Sequence, residues 1–84
     1  MISFNNVRDV LMRHWDPLQI GDNPNLQDEY DSYVPGLMKL LTARSSLEEV
    51  NEYLRNVEGR LEIQGADQVR MHVSKILIDR FLKL

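Results

Sequence analysis

The chain has 84 residues, 43% of them hydrophobic and 27% charged, with a formal net charge of −3 and no cysteine. One domain spanning 1–84 is expected, with a small core, because a chain this short buries only about 60–65% of its unfolded surface. Disulfides, thiolate chemistry and cysteine-type zinc sites are excluded, and no apolar run approaches the roughly 18 residues of a membrane span.

Met1 to Asn6 lacks a basic stretch followed by an apolar one. No signal peptide is expected there, and a cytoplasmic location follows as the simplest expectation. Val7, Val10, Leu11, His14 and Trp15 then recur with helical spacing. Ser3 is the expected N-cap, in competition with Asn5 and Asn6, with Ile2 and Val7 placed as a hydrophobic staple. Asp16-Pro17 ends this helix, because proline disfavours a helical residue before it. Gly21 to Asn25 is turn chemistry throughout.

A second stripe runs Leu26, Tyr30, Tyr33, Val34, Leu37, Leu41 and keeps its phase across Pro35. The expectation is one helix, about 26 to 43, kinked at Pro35-Gly36. Ser46-Leu47-Glu48-Glu49 is a capping box. The helix behind it carries Leu47, Val50, Leu54, Val57 and Leu61 on a narrow seam. Gly59 weakens its end and Gly65 suits the stop. The last helix, about Asp67 to Lys83, places Val69, Val73, Ile76, Leu77, Phe81 and Leu84 on one face. Met71, Ile78 and Leu82 fall opposite. No segment alternates with period two. The expected fold is therefore all-α, a single-domain bundle of about four helices with the second kinked at Pro35.

Little here suggests catalysis. There is no glycine-rich phosphate loop, and His14 and His72 form no His-x-x-x-His pair. His14 lies on an apolar face and reads as a packed residue, His72 as a solvated one. Asp22 as the first ligand of an EF-hand would put Pro24 third and Gln27 at the required glycine, so that template fails. No enzyme activity, metal or cofactor is expected. Arg70, Lys75, Arg80 and Lys83 are diluted by Asp67 and Asp79 in a chain of net negative charge. Nucleic-acid binding, which needs a net basic face, is not expected either.

The charge distribution is the informative feature. Residues 16 to 33 hold Asp16, Asp22, Asp28, Glu29 and Asp31, two tyrosines, and no lysine or arginine. That segment carries −5, and the ten bases and eight acids elsewhere leave +2. A concentrated acidic field with aromatic side chains suits docking onto a basic protein. Asp22, Asp28, Glu29, Tyr30 and Asp31 are the candidate partner-binding residues.

Two motifs in this segment, Trp15-Asp16-Pro17-Leu18-Gln19-Ile20 and Asp28-Glu29-Tyr30-Asp31-Ser32-Tyr33, carry a family resemblance. The chain resembles a largely uncharacterised group of small bacterial all-helical proteins. These bear a Trp-Asp-Pro-Ile-Gly-Val/Ile stretch followed by Asp-Glu-Tyr-Asp-x-Tyr. The likeness extends to about Leu61 and touches Trp15, Asp16, Pro17, Ile20, Asp28, Glu29, Tyr30, Asp31 and Tyr33. Leu18 and Gln19 stand where the pattern has Ile and Gly, which implies a different local turn. Members of this kind look like immunity proteins encoded beside secreted or contact-delivered toxins. The resemblance implies a non-enzymatic protein that binds a cognate toxin domain; the acidic segment then points to a basic toxin, of nuclease type, whose active site it covers. The alternative is a structural or regulatory helical module that self-associates through Met71, Ile78 and Leu82, leaving monomer or homodimer open.

Overall fold

A computed structural model describes residues 2–16, 18, 19 and 29–82. Its order is α1 (Phe4–Val10), a π-helical turn (Leu11–Trp15), a 3-10 turn (Asp31–Tyr33), α2 (Val34–Thr42), α3 (Leu47–Arg60) and α4 (Asp67–Phe81). Among the described residues there is no strand. The fold is a small all-α bundle of four helices.

Ser3 caps α1 as its sequence position predicts, accepting a hydrogen bond from the amide of Asn6 at 3.1 Å. From Leu11 the helix widens, and the amide of Asp16 reaches back five residues to the carbonyl of Leu11 at 2.8 Å. A π turn of this kind is rare and is frequently found at functional sites. Val7, Val10, Leu11 and Trp15 are all buried, and the wider turn brings Met12 inside with them.

The second helix departs from its expected form. Pro35 does not kink a continuous helix; it lies in the first turn of α2. There its missing amide costs no intrahelical bond. The 3-10 turn at Asp31–Tyr33 leads into it. The expected common face is nonetheless present. Tyr30, Val34, Leu37 and Leu41 are fully buried, while Tyr33 is half-buried. Leu26 lies outside the described residues.

In α3 the Ser46–Glu49 capping box is complete in both directions. Val50, Leu54 and Val57 point into the core. The helix runs through Gly59 to Arg60 without breaking. α4 is rotated relative to expectation: its buried arc is Arg70, Val73, Ser74 and Leu77. Val69, expected inside, is 40% exposed and is the one exposed large hydrophobic among the described residues. Val73 and Leu77 stay on the buried side, and the arc is shifted by about half a residue position, roughly 50° at 100° per residue, toward Arg70 and Ser74. Of the opposite strip, Ile78 and Leu82 pack against the core and Met71 is half-buried. α3 and α4 pack along one another, α1 lies on α2, and the π turn lies on α4. No helix of the described residues is long and apolar enough to cross a membrane.

Candidate protein-binding surface

The two sequence motifs meet where α1 ends. Tyr30 is fully buried, with its ring centroid 5.2 Å from that of Trp15 at a tilt of 51°. Its hydroxyl donates to Asp16 Oδ1 at 2.9 Å and accepts from the amide of Leu18 at 2.9 Å. Burial pushes the Tyr30 phenol well above its ordinary value, and the Asp16 carboxylate pushes the same way. The hydroxyl is therefore a firm donor at neutral pH. Next in sequence, Asp31 forms a paired contact with the Arg8 guanidinium, one bond of which measures 2.7 Å. The carbonyl of Tyr33 accepts from Tyr53 Oη on α3 at 2.7 Å. Residues on both sides of the stretch 17–29 are thus fastened to the bundle.

This moves one of the five candidate partner-binding residues, Tyr30, inside the fold. Tyr30 was a candidate partner contact, but no part of it reaches the surface. An aromatic ring that can cover Trp15 while its hydroxyl bonds internally gains more from burial than from exposure. Asp31 is half-buried and paired with Arg8, with 24% of its side chain still exposed. Glu29 is exposed. Asp22 and Asp28 lie outside the described residues.

Beside the fastened segment opens a pocket of about 250 Å³. Its floor is made by Trp15 and Glu58, 5% and 3% exposed. Trp15 Nε1 donates to Glu58 Oε2 at 2.9 Å. The other carboxylate oxygen accepts from Arg70 Nη1 at 2.6 Å and from the amide of Gly65 at 3.1 Å. Arg70 also donates to Asp67 at 2.9 Å and to the carbonyl of Gly65 at 3.0 Å. Burial disfavours the Arg70 charge, but the bonds to Glu58 and Asp67 outweigh it and raise its pKa further. Asp16, Gln19, Gln64 and Val69 stand around the opening. Asp16 and Gln19 have φ of 32° and 55°, left-handed conformations that non-glycine residues hold only where their surroundings impose them. Gln19 holds this left-handed backbone without the conformational freedom of a glycine.

Neither Glu58 nor Arg70 was singled out from the sequence as part of a site. A signal was present, since Glu58 follows Leu54 by four positions and so shares the seam of α3. Arg70 read as one member of a basic row. A second feature the sequence did not suggest is a shallow groove where Leu40 meets Tyr53, with Glu48, Glu49 and Glu52 at its margin. Through Tyr53 this groove adjoins the end of the acidic segment at Tyr33.

The bundle brings His14 and His72 together, with ring centroids 6.3 Å apart in an edge-on arrangement. His14 is half-buried and His72 exposed. Among the described residues no group of three or more His, Asp or Glu side chains is placed to hold a metal ion. Comparison with protein-family models, with curated proteins and with solved structures finds no match.

Proposed function

We propose that this chain is a non-enzymatic immunity protein that neutralises a basic, nuclease-type bacterial toxin domain by covering its active site with an acidic surface. The observation that carries this reading is the segregation of −5 into residues 16 to 33 against +2 elsewhere. The fastening of that segment on both sides, by Tyr30 to Asp16 and by Asp31 to Arg8, supports it. Fixed end residues have less conformational freedom to lose on docking than free ones.

Asp16 and Asp31 are committed to internal bonds, so Asp22, Asp28 and Glu29 carry the steering charge. Glu48, Glu49 and Glu52 extend the same sign along the α3 groove. A nuclease must approach a polyanion and is commonly basic, so complementary charge accelerates encounter. A standard interface takes about 800 Å² from each partner, within reach of a surface of 5487 Å².

The test is survival of bacteria producing a candidate basic nuclease toxin domain, with and without the chain. The parent should protect. Asp28→Lys combined with Glu29→Lys should slow association and weaken protection without lowering the melting temperature. Added salt should slow the parent more than the variant, because screening removes a field the variant has already lost. Equal protection by both would place the interface elsewhere.

A further inference from the structure

The order of charges along α3 is self-complementary. Its outward arc carries Glu48, Glu49, Glu52, Arg55, Asn56 and Arg60, all exposed, with the acids in the first half of the helix and the bases in the second. Charge at the two ends complements the helix macrodipole, but that effect falls off within the terminal turns. Glu52 and Arg55 lie inside those turns, and their mutual contact is loose, at 4.0 Å with side chains 61% and 68% exposed. Inverting the helix about Leu54 exchanges the signs. Glu52 and Arg55 flank that residue, and Glu48 and Arg60 stand six positions to either side of it. Beside the acidic half runs the groove of about 530 Å³ floored by Leu40 and Tyr53, both half-buried.

We infer that α3 is the contact face for a second copy of this chain, the two α3 helices packing antiparallel about a two-fold axis near Leu54. Glu52 of each copy then faces Arg55 of the other. Arg60 of each copy lays its aliphatic stem in the other's groove and brings its guanidinium to Glu48 and Glu49. Glu49 keeps one carboxylate oxygen in the Ser46 cap and presents the other. A parallel pairing would set acid against acid and base against base, so charge selects the antiparallel one. Two-fold symmetry forms each contact twice. The apolar strip of α4 does not compete for this role, because Ile78 and Leu82 pack against the core. The inference goes beyond the proposed function and uses none of the charges of residues 16 to 33.

Sedimentation equilibrium of the full chain at low salt should give a mass that climbs with concentration from 9.9 kDa toward twice that value, and added salt should weaken the association. Glu52→Arg and Arg55→Glu each set like charges across the axis twice, and each alone should weaken the dimer at least about tenfold. Both positions are exposed, so the variants should melt within a few degrees of the parent. The deciding sample is an equimolar mixture of the two. Within either variant chain, positions 52 and 55 carry the same sign, yet across a mixed pair every contact joins opposite signs. The mixture should therefore associate about as tightly as the parent. A parent that stays monomeric up to millimolar protein, a dimer indifferent to both substitutions, or a mixture no more associated than its separate variants would each overturn the inference.

Discussion

Trp15 donates its indole N–H to Glu58 across 43 positions of sequence, at 2.9 Å and out of contact with solvent. The bond ties the end of the first helix to the third, and Arg70 on the other carboxylate oxygen ties in the fourth. One acid therefore joins three elements. Removing it leaves the guanidinium of Arg70 buried against its remaining partners, Asp67 and the Gly65 carbonyl. Breaking a buried pair from one side costs about 3–5 kcal/mol, whereas replacing both members with apolar residues is often close to neutral. In urea, Glu58→Leu should lower stability by that amount. Glu58→Leu with Arg70→Met should recover most of the loss. A double variant no more stable than the single would mean the two charges act independently.

Tyr30 offers a second measurement. Tyr30→Phe removes the bond to Asp16 and leaves the amide of Leu18 without its acceptor, at a cost of about 1–3 kcal/mol. The pH dependence has a defined sign. Folding raises the Tyr30 phenol above its ordinary 10.0, chiefly by burial, and burial raises Tyr53 as well. Above pH 10 the unfolded chain releases these protons while the folded chain keeps them. The stabilisation is complete below that pH and is lost as pH climbs toward the folded values. Stability should fall from about pH 10 upward, and less steeply in Tyr30→Phe. An identical alkaline slope in parent and variant would show that Tyr30 ionises normally in the fold.

Two glycines should respond in opposite directions to the same change. Gly59 lies in the last turn of α3, and an added methyl group there meets nothing within 4 Å. Gly59→Ala should stabilise by about 0.5–1 kcal/mol, as the helix interior gains a better helix former. At Gly36 an added methyl group runs into the Tyr53 hydroxyl and ring, and that hydroxyl is bonded to Tyr33. Gly36→Ala should destabilise by about 1–3 kcal/mol, through displacement of Tyr53. Thermal melts of the two variants decide both signs.

Local signals were legible and long-range polar pairing was not. The Ser3 cap, the Ser46–Glu49 box and the stripes through Val7 and Val50 follow from spacing within a single turn or helix, and the structure contains them. The stripe from Tyr30 to Leu41 was also readable, because phase survives whatever the backbone does between. What Pro35 does was not readable from phase, since a proline that kinks a helix and one that opens it leave the same pattern. For Tyr30 and Asp31, composition says acidic and aromatic. Only the positions of Asp16 and Arg8 turn them inward. The pocket is the extreme case. Its floor pairs position 15 with position 58, and no period or motif links such distant residues. Charge at Glu58 and Arg70 argued for solvent until their partners were in place.

The pairing of Arg8 with Asp31 separates stability from recognition within the acidic segment. Both side chains are partly exposed, at 34% and 24%, so the pair contributes about 1 kcal/mol or less after solvent screening. Asp31→Lys replaces that attraction with repulsion against Arg8. It should lower the melting temperature and, by loosening one fastening of the segment, also slow partner binding. Glu29 is exposed, and Glu29→Lys should slow association with no change in melting. The two variants alter formal charge equally, by +2 each, so long-range steering alone predicts equal effects on rate. A larger rate loss for Asp31→Lys, accompanied by a lower melting temperature, would attribute the excess to the fastening. Equal rates and equal melting temperatures would show that the Arg8–Asp31 contact does not hold the segment.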